Sequence, residues 1–176
     1  MTLKPLLAGL LMLPAFVHSQ TLAERWASAA PSESGRFTES RTIAGFPKPL
    51  VSTGRFEIRR GERILWQTLR PVRNDVLIDR SGLSVRTADG AARPAAAGDE
   101  VAKLFFALLS ADTAALQRFF DLTETGDTLV ATPKSAAERA FVQKIELSGK
   151  RAPEHIRVIG AGGEVTDIRI TPDPAP

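Results

Sequence analysis

Between Thr53 and Pro71 the sequence TGRFEIRRGERILWQTLRP alternates so regularly that few folds accommodate it. Phe56 and Ile58 are two residues apart, as are Ile64, Trp66 and Thr68, the spacing of side chains that share one face of a pleated strand. Arg59, Arg60, Gly61, Glu62 and Arg63 fall between the two runs, so the stretch reads as a β-hairpin with a basic tip. Such a hairpin has one apolar face, and the rest of the chain must supply what covers it. That face lines a container or forms the inside of a packed core.

The flanking sequence extends the sheet on both sides. Phe37 and Ile43 alternate with polar residues in GRFTESRTI, and Val76 and Ile78 do so between Asn74 and Asp79. Ser81-Gly82 then turns into Leu83-Ser84-Val85. Further on, Leu129 to Thr132, Phe141 to Leu147, His155 to Ile159 and Val165 to Ile170 read as strands, with turns at Gly149-Lys150 and Gly160 to Gly163. Pro172, Pro174 and Pro176 are expected to lie outside the ladder, because proline lacks the donor it needs. Ahead of the strands, Thr21 followed three residues later by Glu24 predicts a capping box, and Leu22, Trp26 and Ala30 recur at helical spacing.

The pattern changes between the two sets of strands. TADGAARPAAAG, from Thr87, has no apolar period and predicts a loop that interrupts the sheet. Asp99 is placed to cap a helix running to about Leu109, with Val101, Leu104, Phe105 and Leu108 as its stripe. Asp112 is placed to cap a second short helix with Leu116, Phe119 and Phe120 as its stripe. The order is helix, strands, a helical insertion over about 99–121, then more strands. Composition by itself favours a plain core beneath that insertion, since a core and an apolar pocket are made of the same residues.

Most catalytic chemistry lacks its reagents. There is no cysteine, which excludes disulfides, thiolate metal sites and cysteine nucleophiles. Residues 1–19 read as an export signal, with an apolar run from Leu6 to Val17 too short to span a bilayer and a cut near Ser19/Gln20. His18 leaves with it, so His155 is the one imidazole of the expected mature domain, 20–176. The formal charge of +3 falls by one with Lys4, too mild to imply nucleic acid or membrane binding by bulk electrostatics. Gly160-Ala161-Gly162-Gly163 precedes a strand rather than a helix, so it is a hairpin turn and not a phosphate loop. Glu57, Asp75, Asp79 and Asp167 sit at alternating strand positions, where a solvated face is the default, and no serine has a nucleophile-elbow context. Neither an enzyme nor a cofactor is expected.

The sequence of features resembles the LolA family of periplasmic outer-membrane lipoprotein carriers. The resemblance rests on the export signal, the capped helix, Phe37-Thr38-Glu39, the strand with Gly54, the Arg59-Arg60 tip, Trp66, Pro71, and the later stretch from Gly126 to Lys134. It covers most of the mature chain, and the chain departs from the dedicated carriers in its short run after Ile170. The resemblance implies a mainly β fold with helices (α+β), an unclosed antiparallel β-barrel with a short N-terminal helix and a helical lid between two sets of strands. It further implies an apolar cavity for acyl chains. Phe56, Ile58, Ile64, Trp66 and Ile78 would line its sheet side, and Leu104, Phe105, Leu108 and Phe119 its lid. Arg60 matches the family's pocket arginine, a fork of donors suited to latching the lid through backbone carbonyls. The implied partners are an acylated lipoprotein or lipid-linked cargo, an inner-membrane release complex and an outer-membrane acceptor, for a monomer in the periplasm. The alternative is a periplasmic interaction or sensor domain with a filled core and no lipid cargo.

Overall fold

The structure, a computed structural model, describes residues 21–28, 33–59, 62–79, 82–87, 90, 92–94, 107–109 and 112–174. Helix α1 (Leu22–Ser28) precedes six strands: β1 (Ser34–Thr42), β2 (Leu50–Arg59), β3 (Arg63–Arg70), β4 (Asn74–Asp79), β5 (Gly82–Thr87) and β6 (Ala92–Pro94). Residues 107–109 are helical, and α2 (Thr113–Leu116) follows. The second set comprises β7 (Phe120–Thr125), β8 (Thr128–Pro133), β9 (Val142–Ser148), β10 (His155–Gly160) and β11 (Val165–Pro172), with α3 (Ala136–Arg139) between β8 and β9.

All the described strands join one antiparallel sheet in the order β6-β5-β4-β3-β2-β1-β11-β10-β9-β8-β7. Each set is a meander, and the two meet where β1 pairs with β11, from Gly35 opposite Pro172 to Thr42 opposite Val165. β6 and β7 are the free edges, so the sheet is not closed, and the helical insertion connects those two edges.

Register explains which face is buried. Gly35, Phe56, Trp66, Val76 and Val85 form one cross-strand row, and Ile58, Ile64, Ile78 and Leu83 form the next. The face continues through Ile168, Ile156, Leu147 and Leu129 on the other set of strands. Leu22 and Trp26 of α1, residues 107–109 and Leu116 of α2 share one contiguous core with this face. Burying a side chain the size of Phe56 or Ile64 contributes about 1.5–3 kcal/mol, so the alternating hairpin is held mainly by its apolar face.

The local signals at the helix starts are present as bonds. Glu24 N donates to Thr21 Oγ1 at 3.2 Å and Thr21 N to Glu24 Oε2 at 3.0 Å, the expected capping box. Asp112 Oδ1 accepts from Ala115 N at 2.9 Å and caps α2. The first helical prediction of the insertion, from Asp99, lies outside the described residues apart from 107–109.

Four sequence expectations need correction, and one short helix, α3, goes beyond them. The stretch after Thr87 is not all loop, because Ala92–Pro94 pairs with β5 as a sixth strand. An edge strand can be held by backbone bonds alone and tolerates proline, so it needs no apolar period. Phe120 belongs to β7 rather than to the second helix: its spacing from Leu116 mimics a helical stripe, while its spacing to Leu122 is that of a strand. Helix α3 carries no apolar stripe because it buries nothing. Phe141 lies outside β9 and is 74% exposed. Pro172 does occupy the ladder, as the terminal partner of Gly35.

Candidate binding face and groove

The apolar face is organised around an aromatic stack that glycine makes room for. Gly54 on β2 stands between Phe37 on β1 and Thr68 on β3. A Cβ at Gly54 would strike the Gln67 carbonyl oxygen and come within 2.6 Å of the Phe37 ring. With no side chain there, Phe37 crosses over β2 and stacks on Trp66, with ring centroids 3.8 Å apart and planes inclined by 21°. Phe56 lies in the same way over Gly35 and adds a second contact to Trp66, at 6.1 Å. Stacking of this kind adds about 0.5–1.5 kcal/mol per pair beyond the burial of area.

The residues expected to wall a cavity are brought together, and they are covered. Phe56, Ile58, Ile64, Trp66 and Ile78 are between 0% and 4% exposed, and Leu108 is 5% exposed. Phe119 is partly buried against the same core, just after α2. Arg60, Leu104 and Phe105 lie outside the described residues. The alternation of Phe37 is legible in the sequence, but its place in the stack is not, because that depends on rings crossing Gly35 and Gly54.

At one end of this face the core gives way to a groove of about 740 Å³. Trp66 and Val76 reach its floor, Ser52, Thr68, Asn74 and Thr87 line its sides, and Leu50, Pro71, Val72, Arg41 and Arg73 stand around it. The volume falls within the usual range of small-molecule sites, and the lining is more apolar than polar, with Glu39, Arg41 and Arg73 as its charged members. Asn74 Oδ1 is buried without a hydrogen-bond partner.

The opposite face of the sheet is charged. Glu57 accepts from Arg59 Nε at 2.9 Å and from Arg63 Nη2 at 3.2 Å, so two of the tip arginines are turned along the sheet. These hydrogen bonds, Arg63 first and then Arg59, hold the Glu57 carboxyl below its ordinary value. His155 Nε2 lies 3.2 Å from Asp167 Oδ1, with Arg157 at 4.0 Å from the same oxygen. Glu57 and Asp167 are thus paired with neighbouring basic side chains, while Asp75 Oδ1 is buried on that side of the sheet without a hydrogen-bond partner. Among the described residues no group of His, Cys, Asp and Glu is arranged to hold a metal ion.

The chain is thus an open antiparallel meander with short helices packed on its apolar face. Residues 28–172 match the model of the outer membrane lipoprotein carrier protein LolA family, and the chain belongs to that family. Membership in a family of carriers supports a periplasmic location and a non-enzymatic role. Among curated proteins nothing matches the chain. Among solved structures it is similar to a LolA superfamily protein from Nitrosomonas europaea, at 10% identity and a TM-score of 0.49, covering 90% of this chain and 96% of that one. It is also similar to a chain of the Pseudomonas aeruginosa MucA/MucB complex, at 18% identity and 0.47, covering 86% and 56%. A DUF1329 family protein from Desulfovibrio piger follows at 15% and 0.44, covering 85% and 88%.

Proposed function

We propose that this is a periplasmic interaction or sensor domain of the LolA type, with an interior filled by its own side chains. One observation carries the reading. Ile58, Ile64 and Ile78 are at most 4% exposed, and any void wide enough for water would count as exposed surface on its walls. That low exposure supports an interior occupied by the protein itself, and what remains open is a groove at one end whose apolar floor, Trp66 and Val76, is flanked by Ser52, Thr68, Asn74 and Thr87. The leader 1–19, removed near Ser19/Gln20, belongs to the same proposal, as does a single domain over 20–176.

The second reading is the acyl-chain carrier, favoured by the family description and by the groove's reach to Trp66. In it Phe56, Ile58, Ile64, Trp66 and Ile78 face the cargo from the sheet, and Leu104, Phe105, Leu108 and Phe119 face it from a lid that swings out, with Arg60 as its latch. The lid must then be only modestly stable, because cargo enters by displacing packed side chains.

Native mass spectrometry of the mature protein, with titration of an apolar dye, separates the two. The filled domain should carry no co-purifying lipid mass and leave dye and tryptophan fluorescence unmoved. A bound lipid mass, lost or retained differently in Arg60→Leu, would replace this reading with the carrier.

A further inference from the structure

Among the described residues, the large apolar side chains that remain exposed are not scattered. Phe46 lies in the loop between β1 and β2, Leu50 and Val51 open β2, Leu69 is near the end of β3, Val72 is in the β3–β4 turn, and Phe141 precedes β9. The register places all of these positions at one end of the sheet: Arg41 is opposite Leu50, Thr42 opposite Val165, and Gly160 opposite Val142. Ala161 N also bonds to Phe141 O at 3.1 Å. The other end, with the turns after Asp79, Thr125 and Ser148, has no exposed large hydrophobic among the described residues. Exposures run from 41% at Leu69 to 74% at Phe141, which is costly for a rim that serves only as turns.

Cations accompany this rim. Lys48, Arg70 and Arg73 lie among Phe46, Leu50, Leu69 and Val72, and within the described residues none of the three forms an ion pair, whereas Arg41 is paired with Glu39 at 3.1 Å. Free cations beside apolar tips complement a surface that is anionic outside and apolar just beneath. The breadth of the rim decides between a polypeptide and a bilayer. From the β3–β4 turn to Phe141 it crosses seven strands, β4, β3, β2, β1, β11, β10 and β9, roughly 30 Å along the sheet at about 4.8 Å per strand. A single peptide segment covers one groove, while a planar partner can meet both ends of the rim.

We propose that this end of the sheet docks on an anionic phospholipid surface, with Phe46, Leu50, Val72 and Phe141 dipping past the headgroups and Lys48, Arg70 and Arg73 holding the phosphates. The docking goes beyond the proposed function and does not depend on whether the core is filled. It would turn the mouth of the groove, which Leu50 and Val72 border, toward the lipid.

Co-flotation of the mature protein with vesicles of phosphatidylethanolamine and phosphatidylglycerol in equal parts tests it. Binding should be strong at low salt, weaken as salt is raised, and be weak on phosphatidylcholine vesicles. Phe46→Ser with Val72→Ser, and separately Lys48→Glu with Arg73→Glu, should each lower the vesicle affinity roughly tenfold or more. Arg151→Glu, exposed at the opposite end, should leave it unchanged. Phe141→Ser, across the rim from the other substitutions, should lower it too, which guards against a local fold defect in one loop. A parent that stays with the aqueous fraction, rim variants that float like the parent, or an acidic protein captured at the rim in place of vesicles would each overturn the proposal.

Discussion

Gly54 is occupied from above by a ring and from the side by a neighbouring strand, and this leaves no freedom for substitution. Alanine at that position must displace Phe37 from Trp66 or push β3 away at the Gln67 carbonyl. Gly54→Ala is expected to lower stability by roughly 1–3 kcal/mol, with a loss of the near-ultraviolet circular dichroism of the Phe37–Trp66 stack. Unchanged denaturation midpoint and spectrum would show that the rings do not need the glycine. Glu57 offers a smaller, pH-dependent effect. Its folded pKa lies below the ordinary 4.5, so the stabilisation from Arg63 and Arg59 is present above that value and is lost as pH falls through the folded pKa. The carboxylate side chain is 39% exposed, so solvent screening holds the contribution to about 1 kcal/mol or less. Glu57→Gln should therefore melt slightly lower than the parent at about pH 7, with the gap closing as the pH falls below the ordinary carboxylate range. A gap of constant size would remove the Glu57 pairing as its cause.

At the scale of elements, the short helices test how the insertion is held. Helix α2 has only Leu116 in the core, and Asp112 fixes its first turn through Ala115 N. Asp112→Ala should cost about 1 kcal/mol and raise amide exchange around Leu116 and Phe119 while sparing β2 and β3. Exchange rising evenly over the whole sheet would mean that the cap is not a local device. Which elements could be read from the sequence follows from how they are stabilised. The β2–β3 hairpin, β4 and β8 to β11 bury one face, and burial writes itself into the chain as alternation. α3 has no buried residue and leaves no such mark, although Ser135 and Glu138 do spell the capping box that it uses. β7 was hidden because Phe119 and Phe120 satisfy two periods at once. The candidate wall was legible for the same reason as the hairpin, since Phe56, Ile58, Ile64, Trp66 and Ile78 are its inward residues. Whether space lay against them was not legible, because it depends on how closely residues 107–109 and the neighbouring core approach.

Across the whole molecule, the sheet is a single meander interrupted at one place in the sequence and joined at another. Starting from β7 and passing through β11 to β1 and then β6, neighbours in space would be neighbours in sequence if the chain were cut in the insertion and its ends were linked. Asp173 is held beside Ser34, with Asp173 N donating to Ser34 O at 3.0 Å and Ser34 Oγ to Asp173 Oδ2 at 2.8 Å. The start of α1 lies by β7, where Ala23 N donates to Glu124 Oε1 at 3.1 Å, so the linker must cross the second set of strands. A permutant with a flexible linker from Asp173 to Thr21 and new termini between β6 and β7 should fold, with the parent's tryptophan spectrum and somewhat lower stability. Failure to fold would show that the intact helical connection organises the sheet, rather than being organised by it.

The pairing of β1 with β11 also has a consequence in time. A chain delivered from its N-terminus builds β1 to β6 first, and one side of β1, from Gly35 to Thr42, then waits without a partner until Val165 to Pro172 arrives. That bare flank runs along what will become the middle of the sheet. During delivery it is the segment most open to pairing with a neighbouring chain, and the charges of Arg36, Glu39 and Arg41 along it act as a temporary guard. The protein is thus most exposed to misassembly at its eventual centre, and only for as long as its last strand is missing.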